Sequence, residues 1–474
     1  HQGNLKHGLK IIQECSKMVH KHNIRAAIKF QFRQYESFIH PNHKKNSDNK
    51  HIPRFLSTQL SQKEWEILFK AVKNEGLLTM CTPFDNESVP IISDMGFDII
   101  KVASCSAKDW PLLEDIAFAS LPVVASTGGL KINDVDNLVS FFEHRGVAHA
   151  LMHCVSIYPI PQDDFHLNHI DTLRKRYIKT VIGWSTHENQ DDTVPIQIAM
   201  AKGAKMFERH VGLDTDEVKL NVYSSRPKQL DKWFEAYRYS EILCGSSTHR
   251  PITAVEQESL DGLQRGMFVT NDIEAGVILS ASDVYFAMPF VSGQLSSENW
   301  IENGIHTRGT IKKDAPVFPS DVDIDSSNKY KVLKDAIHEV KAMLNNASIT
   351  LNSEFNIEFS HHHGIENFRE VGALIIDCVN REYCKKLIVV LPGQKHPSHF
   401  HKRKEETFQS LSGDFEYILD GRKKVLKPGE TALVQPGVWH EFWSKDGCIV
   451  EEISTTHYND CLLYTSDAAD DLLC

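Results

Sequence analysis

No stretch of this sequence approaches the roughly 20 consecutive apolar residues that a membrane-crossing helix requires, so no membrane partner is predicted. Basic residues are in deficit. The chain holds 52 Lys and Arg against 63 Asp and Glu, a formal net charge of −11, and no long basic run reverses that balance locally. Both features argue against a nucleic-acid partner and favour small substrates. The cysteines at 15, 81, 105, 154, 244, 378, 384, 448, 461 and 474 form no CxxC pair and no zinc-type spacing, which fits reduced thiols in a cytoplasmic protein. An initiator methionine is also missing. With no strand ahead of the opening helical stretch HQGNLKHGLKIIQECSKMVHKH, the chain reads as N-terminally truncated, and a leader ahead of it stays open.

What is present is enough apolar material, 41% of 474 residues, for several cores. Over 1–245, short apolar runs at 26–32, 77–84, 98–104, 122–128, 149–156, 180–187 and 206–211 read as strands. They alternate with amphipathic helical patterns near 4–22, 62–75, 131–143, 190–202 and 229–243, with shorter helices near 86–95 and 110–118. This alternation predicts an α/β fold, a (β/α)8 TIM barrel lacking its first strand. Residues 246–324 contain two look-alike units, NDIEAGVILSASDV (271–284) and GTIKKDAPVFPSDV (309–322), which predict a small pseudo-symmetric β domain. A polar linker and one helix occupy 325–348. From 349 to 460, short strands punctuated by Gly and Pro predict an all-β barrel. The tail CLLYTSDAADDLLC (461–474) fits no preceding pattern and closely resembles a translated sequencing adapter.

The barrel half is organised around VIGWSTH, ending at His187, and MFERHVG, which holds His210. The intervening ENQDDTVPIQIAMAKGAK is long enough for a crossover helix, so the two strands become parallel neighbours with both imidazoles at one rim. Two such imidazoles suit a divalent metal with open positions for substrate. Other polar residues at strand ends are Lys29, Gln31, Thr82, Phe84 beside them, Lys101, Ser104, Ser126, Ser156, Tyr158, Ser185 and Glu208. Two lysines, several hydroxyls and a metal make a site for an anion such as phosphate or carboxylate. Lysines on buried strands are costly unless they have such a partner. Cys81, Cys105 and Cys154 read as small hydrophobes.

The ordered series KFQ (29–31), CTPF (81–84), KVAS (101–104), STGG (126–129), HCVSIYP (153–159), GWSTH (183–187) and ERH (208–210) resembles the sialic acid synthase family. The unit pair at 271–322 resembles that family's C-terminal antifreeze-like (SAF) domain. The resemblance implies condensation of phosphoenolpyruvate with an N-acetylmannosamine-like aldose, and a domain-swapped homodimer. It implies that Lys29, Thr82, Lys101, Ser104, Ser126 and Ser185 hold phosphoenolpyruvate. Gln31, Phe84 and Tyr158 would face the acceptor sugar, and His187 and His210 would bind Mn or Mg. Departures are also visible: Ser106 stands where an acid is expected, Ser156 where Asn is usual, Asn221 at an acidic position and Met288 where an arginine would reach the acceptor's acetamido group. These losses point to an altered acceptor.

Farther on, Gly393, His399, His401, Glu406 and Gly413 follow the spacing of the first cupin motif, and Gly429, Gly437 and His440 resemble the second. On a strand, His399 and His401 point to one face. The resemblance implies a second divalent metal (Mn, Fe, Zn or Ni) held by His399, His401, Glu406 and His440, with Glu405 a rival for Glu406. Gln435 and Ser444 replace that motif's proline and asparagine outside the ligand set. The texture around SHHHGIENFREVGA resembles D-lyxose isomerase-like cupins, which implies sugar isomerisation or sugar binding; the His361-His362-His363 run reads as a polar strand edge. Three readings follow: a nonulosonic acid synthase with a fused cupin, a sugar-binding or regulatory protein with an inactive barrel, and a cupin isomerase as the principal activity.

Overall fold

The computed structural model describes residues 1–44, 48–216, 219–246, 250–324, 329–351, 355–361, 363–456 and 462–464. His362, the linker residues 325–328 and most of the tail at 461–474 lie outside them. The chain divides into two units, His1–Pro251 and Ile252–Cys474.

The first unit is a parallel sheet of β1 (Ala27–Phe32), β2 (Leu78–Pro83), β3 (Ile99–Val102), β4 (Val123–Ser126), β5 (His149–Cys154), β6 (Val181–Ser185) and β7 (Phe207–Glu208), in chain order. Lys29 of the first strand ion-pairs with Glu208 of the last, so the sheet curls until its two ends face each other across the interior, as in a TIM barrel. Apolar runs such as IIKV and VVAS form strands because both faces are covered, one by helices and one by the opposing strands. The outer layer is aromatic at β1, where Phe30 and Phe32 pack on Trp65 and Phe97. Strand alternation therefore turns Lys29 and Gln31 inward.

The helices start where local chemistry allows. Gln62–Asn74 opens on a reciprocal capping box between Ser61 and Glu64 and buries Leu68 and Val72. The crossover helix expected from 190 begins at Val194 instead, with Pro195 in its first turn and Asn189 and Asp192 side chains holding the turn before it. The last strand is also shorter than its sequence suggested. Beyond Glu208 the backbone pairs with the returning segment, Ser225 N–H donating to His210 O at 2.8 Å and Gly212 N–H to Ser225 O at 3.0 Å, so His210 stands just past the strand.

In the second unit, β8 (Gly266–Val269) pairs with β9 (Val284–Ala287), and β10 (Ile305–Thr307) with β11 (Val322–Ile324). The two repeats meet about an approximate two-fold: Ile273 and Ile311 exchange backbone hydrogen bonds of 2.9 and 2.8 Å. At equivalent positions, Asp283 accepts from Ser280 N–H and Asp321 from Phe318 N–H, each at 2.9 Å. Lys329–Asn346 is helical, and its Ala336, Val340 and Leu344 pack on Leu374, Ile376, Leu387 and Val389.

A double-sheet barrel follows. One sheet runs β12 (Asn356–Ser360), β13 (Ala373–Asn380), β14 (Tyr383–Val390), β21 (Cys448–Thr455), β16 (Glu406–Ser412) and β19 (Thr431–Val434). The other runs β18 (Arg422–Leu426), β17 (Phe415–Leu419), β20 (His440–Trp443), β15 (Lys395–His401) and β22 (Leu462–Tyr464). Phe408, Phe415, Tyr417, Phe442 and Val450 fill the space between them. Among the described residues no helix is long and apolar enough to cross a membrane, and the cysteines are free thiols.

Candidate functional site

Glu208 is the hub of the first unit's interior. Its carboxylate is ion-paired with Lys29, lies 3.7 Å from Lys101 Nζ and accepts a 2.9 Å hydrogen bond from Ser185 Oγ. Burial alone would raise its pKa, but Lys101 and Lys29 outweigh that and hold it well below the usual carboxylate range. Lys101 is 2% exposed and donates to Ser126 Oγ at 2.5 Å and Val102 O at 3.0 Å. Burial pushes its ammonium down to about 8, against the pull of Glu208. Two ammonium groups thus share one carboxylate, which leaves a positive surplus in a water-poor pocket.

Next to this cluster, Ser104 Oγ accepts from Gly128 N–H at 3.0 Å, and a Cβ on Gly128 would collide with the hydroxyls of both Ser104 and Ser156. The glycine leaves room for these two hydroxyls, which can donate to an anion held by the neighbouring lysines. Thr82 Oγ1 is buried without a partner, as is Asn221 Oδ1. A buried hydroxyl left unpaired implies a ligand that completes it.

Above the lysines, the ring centroids of His187 and His210 are 5.4 Å apart, and the Tyr158 ring lies tilted against His187 with centroids 4.1 Å apart. His187 Nδ1 donates to Val155 O at 3.0 Å, which leaves the Nε2 lone pair free. Burial, with Lys29 and His187 nearby, lowers His210 to about 4. Both rings are therefore neutral near pH 7 and can serve as metal ligands, so the donor set fits a divalent ion that keeps several positions for water or substrate. Gln31 is exposed to the open rim, and Phe84 stacks on the Arg33 guanidinium at 3.7 Å.

The two histidines are held by a pair that sequence reasoning missed. Arg209, next to His210, makes a fully buried ion pair with Glu188, next to His187, and donates to Ser225 Oγ at 2.5 Å. Breaking a buried pair strands a charge, so Arg209→Leu is expected to cost about 3–5 kcal/mol in a urea titration. Unchanged stability would show that the pair does not hold these strand ends.

In the second unit, the ligand atoms of His399, His401 and His440 lie within 4.8 Å of one another. Nδ1 of His399 donates to Pro397 O at 3.0 Å and Nδ1 of His440 to Val438 O at 3.1 Å, which makes Nε2 the unprotonated nitrogen of each ring. Glu406 joins the group, 3.1 Å from His401 Nε2 and 3.3 Å from His440 Nε2. His440 Nε2 and Glu406 Oε2 are buried without hydrogen-bond partners. Three imidazoles, a carboxylate and orphaned buried atoms fit a divalent metal. Glu405 is exposed and outside the cluster. Unforeseen was Lys404, 3% exposed, which bridges Glu406 at 2.8 Å to the buried Glu452. His361 and His363 are exposed, and Met288 is 55% exposed on its own unit.

Comparison with known proteins agrees with this fold. Residues 21–249 match the NeuB family model, and 386–449 match a cupin domain. The crystal structure of a candidate spore coat polysaccharide biosynthesis protein E from Chromobacterium violaceum is 41% identical with a TM-score of 0.67, covering 68% of this chain and 96% of that one. An uncharacterized protein of Methanocaldococcus jannaschii is 29% identical over 291 residues, 61% of this chain and 82% of that protein. The N-acetylneuraminate-9-phosphate synthase of Drosophila melanogaster is 33% identical over 165 residues, 35% of this chain and 41% of that enzyme. A polar interior on a parallel barrel, a relative matched over almost its whole length, and a separate three-histidine β-barrel together place this chain in the NeuB family, with a cupin domain toward its C-terminus.

Proposed function

We propose that the protein is a nonulosonic acid synthase, condensing phosphoenolpyruvate with an aldose. C3 of the enol attacks the aldehyde carbon and forms the C–C bond; water adds at C2, and the C2–O bond to phosphate breaks, releasing inorganic phosphate. The observation that carries this reading is the surplus cation at the Lys29–Glu208–Lys101 cluster, placed beside the Ser104 and Ser156 hydroxyls at Gly128. An enol phosphate brings the negative charge that this surplus and the unpaired Thr82 hydroxyl require. Lys29, Thr82, Lys101, Ser104, Ser126 and Ser185 hold it, while Gln31, Phe84, Ser156, Tyr158 and Asn221 face the aldose. His187 and His210 would hold Mn or Mg, a Lewis acid for the aldehyde oxygen. Related proteins bear names consistent with this: N,N'-diacetyllegionaminic acid synthase and pseudaminic acid synthase, both of Campylobacter jejuni.

The look-alike units at 271–322 act as a SAF domain in a domain-swapped homodimer, and the enzyme works in the cytoplasm. The cupin holds its own divalent metal (Mn, Fe, Zn or Ni) through His399, His401, Glu406 and His440 and binds or isomerises a sugar. The test is phosphate release from phosphoenolpyruvate with a panel of hexoses and N-acetylhexosamines, with and without Mn or Mg. The reading requires release that depends on both aldose and metal; no release with any aldose would overturn it. The pH profile adds a second check. Lys101 binds an anion only while protonated, and burial places its pKa at about 8. The KM for phosphoenolpyruvate is therefore expected to be flat below about pH 8 and to rise above it, approaching tenfold per pH unit. A KM unchanged through pH 9.5 would remove Lys101 from the anion site.

A further inference from the structure

Arg33, at the barrel's rim, is a cation with no task in holding the enol phosphate or the metal. It follows β1 directly, on the inward-facing series Lys29, Gln31, Arg33, because Phe30 and Phe32 take the outward positions. Each two-residue step climbs about 6.6 Å toward the open end. Lys29 therefore lies at the depth of the enol phosphate, Gln31 above it and Arg33 higher again. The guanidinium is sandwiched between the rings of Phe84 at 3.7 Å and Phe55 at 4.2 Å.

Its hydrogen-bonding capacity is largely unspent. Nη2 donates to Gln31 Oε1 at 3.3 Å, and Nε is buried without a partner. Asp85, whose charge reaches Arg33, is already committed: its oxygens accept from Gln34 N–H, Ser88 N–H and Ser88 Oγ, each at 2.8 Å. Among the described residues Arg33 forms no ion pair. Aromatic plates fix the guanidinium plane and leave its edge for a ligand, the arrangement that recognises planar or tetrahedral oxyanions in bidentate fashion. Gln31 and Phe84, which touch it, are the residues assigned to the aldose.

We infer that Arg33 is a specificity-determining residue, and that the acceptor is an aldose bearing an anionic group, a phosphate ester or a carboxylate, at the end remote from its aldehyde. This rests on the synthase reading. The aldehyde must meet the enol carbon deep in the barrel, near His187 and His210, so the far end of a six-carbon chain points outward to the height of Arg33.

The experiment uses the full chain with Mn and phosphoenolpyruvate, comparing phosphate release for neutral hexoses and N-acetylhexosamines with their 6-phosphates and with hexuronic acids. The expected result is a kcat/KM at least tenfold higher for one anionic class than for its neutral counterpart. Which class it is separates phosphate from carboxylate. In Arg33→Met that preference ratio falls roughly 10- to 100-fold, the worth of a hydrogen-bonded charge, and in Arg33→Lys it falls less. Release with neutral sugars and no anionic preference would overturn the inference while leaving the synthase reading intact. So would a preference that survives both substitutions. No release with any aldose would overturn both.

Discussion

Lys101→Met is expected to lower kcat/KM for phosphoenolpyruvate by about 10²–10³-fold while leaving the protein folded. Lys101 is 2% exposed and its ammonium is hydrogen-bonded to Ser126 and Val102, so it is fixed before substrate arrives. A preorganised charge in a pocket with little water stabilises a phosphate far more than a solvated one does. Methionine fills a similar volume. Glu208 keeps its ion pair with Lys29 and its hydrogen bond from Ser185, so no carboxylate is stranded. Glu208→Gln should behave in the opposite way. It leaves Lys29 and Lys101 facing each other without a counter-ion, and the expected loss is mainly in stability, about 3–5 kcal/mol by urea titration. A Lys101→Met enzyme within threefold of the original would place the anion elsewhere.

The double change His399→Ala with His440→Ala is expected to remove roughly one metal ion per chain, measured by elemental analysis after purification in metal-containing buffer. The remaining His401 and Glu406 supply two ligand side chains, too few for a closed site. Melting should fall as well. At metal concentrations a hundredfold above Kd, the binding contributes about 2.7 kcal/mol, all of which the variant forfeits. Chelation should lower the melting temperature of the original protein and leave the variant's unchanged. Equal metal content in the two proteins would exclude the three-histidine cluster as a metal centre.

Much of the barrel was legible because its strands are continuous apolar runs whose ends carry the polar residues, and because the segment between His187 and His210 is long enough for a crossover helix. The hub role of Glu208 was not. Residues 29, 101 and 208 are remote in the chain, and their shared charge exists only once the sheet curls and brings β1 against β7. The extent of β7 was overread for a related reason: after Glu208 the backbone hydrogen bonds go to Ser225, a tertiary choice that local propensity does not encode.

In the cupin, His399, His401 and Glu406 were readable from spacing and alternation, and Lys404 was hidden. Nothing in KRKEE marks one lysine for burial, yet Lys404 is drawn inward by Glu452, which lies opposite Phe408 and Lys386 in the sheet register. Only the closed barrel puts those side chains on one interior face. Arg33 escaped notice because a single arginine after a strand has no distinguishing sequence signal; the flanking Phe55 and Phe84 come from other elements.

The most direct test of the account is the identity of the organic product formed by the full chain from phosphoenolpyruvate, an accepted aldose and Mn. Condensation predicts a single new acid by mass spectrometry, equal to the aldose plus phosphoenolpyruvate plus water less phosphoric acid, with a three-carbon extension joined through a new C–C bond. Free pyruvate beside unchanged aldose would contradict it.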